Sequence, residues 1–140
     1  MKKVFLVFLV LAGLLTVVSA CGQPQPPDKS PPQEKGSFRV EVSRRGFNNT
    51  PGEFRLEVEQ GQEVEITFVY ADLDFSQNNP HVIAIPAFGI TTRILDENNP
   101  EDTVRFTAST TGEIVFKCIE TACVGHTNLK GGIIVIQPRG

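Results

Sequence analysis

A chain of 140 residues, 40% apolar and 21% charged, has room for one core-forming domain and little besides. Its 16 acidic side chains outnumber its 13 basic ones, and that balance argues against nucleic acid as a partner, because phosphates demand clustered Lys and Arg. With 3 cysteines and 2 histidines in the whole chain, any metal or thiol chemistry has to be assembled from few groups.

Lys2 and Lys3 open a charged start, and Val4 to Ala20 follow as an apolar run broken by Gly13, Thr16 and Ser19. The run is shorter than the roughly 20 residues that span a bilayer, and it ends in small residues, as a secretory signal does. Val18-Ser19-Ala20 before Cys21 resembles the lipobox of bacterial lipoproteins. That resemblance implies removal of residues 1–20, acylation of Cys21 as the new N-terminus, and an exported chain held at the outer face of the cell membrane. A bare membrane helix is the alternative, but the tract that follows suits a tether better. Residues 21–36 hold Pro24, Pro26, Pro27, Pro31 and Pro32 among polar side chains, a composition that stays extended and buries no core.

Residues 37–140 carry a β signal throughout. Phe38, Val40 and Val42 alternate with polar neighbours, as do Phe54, Leu56 and Val58, and then Val64, Ile66, Phe68 and Tyr70. This period of two predicts strands with one buried and one wet face. Further strands are expected over Val82 to Ile85, Thr103 to Ala108, Ile114 to Cys118 and Gly132 to Gln137. Turns fall at Gln60-Gly61-Gln62, Asn78-Asn79-Pro80, Asn98-Asn99-Pro100 and Thr110-Thr111-Gly112. No helix of ten residues is expected. Seven or eight short strands imply an all-β Greek-key β-sandwich, with 10 phenylalanines and no tryptophan supplying its core. Asn48-Asn49-Thr50 matches a glycosylation sequon formally and is read as chance.

The residues able to do chemistry lie close together in the sequence. Cys118, Cys123 and His126 fall at the end of one expected strand and in the loop after it, and His81 heads another strand upstream. Two thiols so near each other in an exported chain form either a disulfide or a metal site. Soft thiolates with imidazoles select copper or zinc. A structural zinc site pairs its ligands in tight spacings at both ends, and His81 has no such neighbour, so copper is the better expectation.

The stretch from Phe116 to Val135, together with Pro80-His81-Val82-Ile83-Ala84-Ile85-Pro86, resembles the copper-binding loops of cytochrome c oxidase subunit II, a cupredoxin-type family with a dinuclear copper A centre. The resemblance implies His81, Cys118, Cys123 and His126 as copper ligands, with the backbone carbonyl of Glu120 as a further contact. Two departures stand out. Cys123 comes one residue later than the family's second cysteine, and Leu129 occupies the position of its axial Met. The implied site therefore holds either two copper ions or a single one held by His81, Cys118 and His126. Three functions follow as expectations: a single-electron carrier serving a redox protein or respiratory oxidase, a copper carrier or assembly factor for such an oxidase, and an electron-entry subunit of the oxidase itself. The chain shows no acid–base pair or nucleophile outside these ligands and is not expected to be an enzyme alone.

Overall fold

The computed structural model describes residues 36–72 and 79–140. The expected signal segment, Cys21, the tether up to residue 35 and Asn78 of one turn lie outside the described residues. The period-two segments form strands wherever they were expected, with ends shifted by a residue or two. They are β1 (Gly36–Ser43), β3 (Glu53–Glu59), β4 (Glu63–Tyr70), β5 (Ile83–Ile85), β7 (Glu101–Thr107), β8 (Gly112–Cys118) and β9 (Gly131–Gln137). Two strands of two residues each, β2 (Gly46–Phe47) and β6 (Ile90–Thr91), bring the count above seven or eight. A strand that short shows no period in the sequence. Among the described residues there is no α-helix, only 3-10 turns at Pro86–Phe88 and His126–Leu129.

One sheet runs β2-β1-β4-β7 and the other β3-β9-β8-β5-β6. β1 pairs parallel with β4, and β3 parallel with β9. Parallel neighbours cannot be joined by a tight hairpin. The chain leaves the first sheet after β2, lays β3 into the second, and returns through the turn at Gly61 (φ 83°) to place β4 beside β1. This exchange between layers makes a sandwich of the expected kind.

Between the layers, Val40, Val42, Ile66 and Phe68 of one sheet face Leu56, Val58, Phe116, Ile134 and Ile136 of the other, all buried. Phe116 is the hub. Its ring lies 4.6 Å from that of Phe47, 5.7 Å from Phe68 and 6.4 Å from Phe54. Gly132 is paired opposite Phe116, and a Cβ there would collide with the ring. The ring therefore fills the space a side chain on β9 would take. Two residues further along β8, on the same inward face, comes Cys118.

Phe116→Ala is expected to destabilise the domain by about 3–5 kcal/mol, the usual cost of emptying a large aromatic site that cannot collapse. Denaturant unfolding measures it; a loss below about 1 kcal/mol would show that the ring is not central to the core.

Candidate metal centre

β5 and β8 run antiparallel with Ile83 opposite Cys118. One inward position before Ile83 the chain places His81, held by paired backbone hydrogen bonds with Leu95: His81 N–H donates to the Leu95 carbonyl (3.0 Å), and Leu95 N–H to that of His81 (2.8 Å). Ile119 N–H donates to the Val82 carbonyl at 2.8 Å and closes the ladder just past Cys118. The imidazole of His81 is completely buried and Cys118 nearly so. Strand register alone thus brings a residue 37 positions away to the cysteine.

Cys123 arrives from the following loop. The Glu120 carboxylate accepts the Ala122 N–H at 3.1 Å, and the Glu120 carbonyl accepts that of Cys123 at 3.3 Å, so the chain turns sharply. The Cys123 sulfur thereby points inward and is buried. His81 Nδ1 lies 3.2 Å from Cys123 Sγ and 4.0 Å from Cys118 Sγ. All three donor atoms fall within 4.8 Å of one another, close enough to hold one metal ion. Both thiols are free.

Glu120 and His126 stand outside that group. The side chain of Glu120 shapes the turn. His126 opens the 3-10 turn His126–Leu129 and is half-buried. Leu129, at the end of that turn, is fully buried and offers no donor atom.

Two residues that the sequence did not single out surround the imidazole. The Asp72 carboxylate, 6% exposed, lies 2.8 Å from His81 Nε2. It also accepts the Arg44 backbone N–H at 2.9 Å and the Asn79 amide at 2.5 Å. Asn79 in turn accepts the Val124 N–H at 2.5 Å and donates to the Val124 carbonyl at 3.1 Å. The loop carrying Cys123 is thereby tied to the segment carrying His81. Gly125 (φ +86°) then brings the loop against the β1–β2 turn, where a Cβ would strike Arg44, and the Asn128 amide donates to the Arg44 carbonyl at 2.8 Å. A search for an outer partner of a candidate histidine ligand is the reasoning that could have pointed to Asp72, but 16 acids with no distinguishing spacing gave no choice among them.

A hydrogen bond from Cys123, with help from the backbone at Val82 and Glu120, outweighs burial and holds the Cys118 thiol down at about 4. The hydrogen bond with Cys118, together with burial, pushes the Cys123 thiol far above its usual range. Because the folded value of Cys118 lies below its unfolded one, its contribution to stability is present above the ordinary thiol range and is lost as pH falls through about 4.

No protein-family model matches the chain, and no curated protein does. Solved structures similar to it include the metal-binding domain of the Streptococcus pneumoniae Cu(I)-exporting P-type ATPase CopA, 21% identical, with a TM-score of 0.51 over 72% of this chain and 84% of that one. Auracyanin from Roseiflexus castenholzii is 18% identical, with a TM-score of 0.54 over 74% of this chain and 98% of the other. The blue copper oxidase of Nitrosomonas europaea is 17% identical at a TM-score of 0.54, and here the match covers 76% of this chain and 40% of the oxidase. At such identities the likeness establishes the fold, a cupredoxin-like β-sandwich.

In the reduced, metal-free domain, ultraviolet thiolate absorbance is expected to correspond to one cysteine at neutral pH and to vanish near pH 4. Cys118→Ser should remove that signal. A band that first grows in near pH 9, as for ordinary thiols, would contradict the lowered Cys118 thiol.

Proposed function

We propose that this domain binds one copper ion through His81 Nδ1, Cys118 Sγ and Cys123 Sγ, and that it carries single electrons at the outer face of the membrane to which acylated Cys21 anchors it. The observation that carries the reading is the meeting of a buried imidazole and two buried sulfurs within 4.8 Å. Two soft sulfurs and an imidazole nitrogen fit copper, and a bound copper supplies a one-electron couple.

The chain's own residues do the rest. The β5–β8 register and the Glu120 turn hold the donors in place. The fully buried side chains of Leu129 and Ile83 pack in the same core and keep water from the inner side. Ile119 and Val124, 44% and 53% exposed, flank the sulfurs and offer apolar surface on which a redox protein or oxidase can settle. The resemblance to oxidase subunit II adds His126 and the Glu120 carbonyl as further ligands. A dinuclear centre needs His126 as well, whereas a single ion is served by the three donors already assembled. Among the described residues no helix is long and apolar enough to cross a membrane. In this reading the lipobox-like segment before Cys21 supplies the attachment.

One observation favours a second reading, a copper carrier that hands Cu(I) to a respiratory oxidase. Cys123 lies in a short loop between the exposed Ala122 and Val124, so the ion as cargo has only a thin cover to pass.

Anaerobic Cu(I) titration is expected to saturate at about one ion per chain, and thiolate chemistry predicts intense visible absorption once the loaded protein is oxidised. Tyr70, the only tyrosine in a chain without tryptophan, has its ring 5.8 Å from that of His81, so its fluorescence should fall in step. Cys118→Ser and Cys123→Ser should abolish tight binding, and His126→Ala should keep it. A colourless adduct that cycles no electron but passes Cu(I) to an apo-oxidase domain would replace the first reading by the second. Failure of the wild-type protein to bind copper would end both.

A further inference from the structure

The hydrogen bond between Asp72 and His81 has a direction, and the direction decides which ring nitrogen is offered to a metal. The Asp72 carboxylate is surrounded by donors. Arg44 N–H points at Oδ1 (2.9 Å), and the Asn79 amide N–H points at Oδ2 (2.5 Å). A carboxylate so placed acts as an acceptor only, so the His81 ring nitrogen 2.8 Å from Oδ2 is the one that carries hydrogen. A neutral imidazole has one N–H, which leaves Nδ1 as a bare lone pair, and Nδ1 is the atom that faces both sulfurs.

We propose that Asp72 is a positioning residue: it fixes His81 in the Nε2–H tautomer and presents Nδ1 to the pair of sulfurs, so that the donor set stands ready before any metal arrives. The assignment rests on the copper-binding reading above. It makes the centre a joint product of both sheets of the sandwich. Cys118 ends β8 and His81 stands two residues before β5 of the same sheet, whereas Asp72 follows β4 of the opposite sheet and is tied by Arg44 to the β1–β2 turn. Asn79 connects the two sides, because its single amide reaches Asp72 with one N–H and Val124 with the other. A ligand whose far nitrogen is committed to a carboxylate is both oriented and made a better donor, and loss of such an outer partner typically costs 10–100-fold in metal affinity.

Side-chain 15N NMR of the reduced, metal-free protein tests the tautomer directly. The expected result is Nε2 protonated and Nδ1 bare, and on adding Cu(I), itself diamagnetic, the shift should move at Nδ1 while Nε2 keeps its hydrogen. In Asp72→Ala the tautomer should become mixed, and competition against a chromogenic Cu(I) chelator should show affinity about 10–100-fold weaker. The inference is overturned if Nδ1 carries the hydrogen or Nε2 takes the metal in the wild-type protein. It is also overturned if a folded Asp72→Ala keeps either the Nε2–H tautomer or an affinity within about threefold of wild type. Should Asp72→Ala not fold, the wild-type spectra with and without Cu(I) decide the matter alone. A wild-type protein that binds no Cu(I) refutes the copper reading, and the metal-free spectrum still reads the tautomer, so the two failures are told apart.

Discussion

The antiparallel register of β5 against β8 sets Ile83 opposite Cys118, and the arrangement of the candidate centre depends on that pairing. In a pleated strand, alternate side chains share a face. His81, two residues before Ile83, therefore faces the same interior as Cys118, two residues after Phe116. A one-residue slip would turn the imidazole and the sulfur to opposite faces. What prevents the slip is packing: the inward positions of these strands hold Ile83, Ile85 and Phe116, all fully buried, and none of them can be turned outward without losing its place in the core. The hydrophobic pattern that builds the sandwich is thus also the device that aligns a nitrogen with a sulfur.

Once the imidazole is inside, its polar atoms must be satisfied, because an unpaired polar group costs much more in the interior than at the surface. Asp72 and the sulfurs satisfy one ring nitrogen each, and among the described residues no buried side-chain nitrogen or oxygen lacks a partner. Chains of hydrogen bonds in a low dielectric reinforce one another when complete. The run Arg44–Asp72–Asn79–Val124 is complete, and it converts a loop with no regular secondary structure into a fixed support for Cys123. A site built in this way needs little rearrangement as a metal enters or changes charge.

Much of the architecture was legible in the sequence because apolar alternation is a local signal. Val64, Ile66 and Phe68 announce β4 without reference to any other segment. β2 and β6 were not legible: two residues have no period, and they pair only because Val42 and Ala84 are already in place beside them. At the site, Cys118 and Cys123 could be picked out as the pair of thiols in the expected exported domain, and His81 through a family resemblance; the structure brings these three together. His126 could be named in the same way, yet it stands apart on its own 3-10 turn. Asp72 was invisible for a different reason. Its role comes from a contact between β4's end and the head of β5, and nothing in one stretch of sequence marks one acid among 16 as the one facing an imidazole.

Copper K-edge X-ray absorption of the metal-loaded protein is the most direct measure of whether His81, Cys118 and Cys123 act together. The expected first shell is both thiolate sulfurs and the His81 nitrogen about a single copper, the three donors found within 4.8 Å of one another. A shell of nitrogen and oxygen scatterers without sulfur would contradict it.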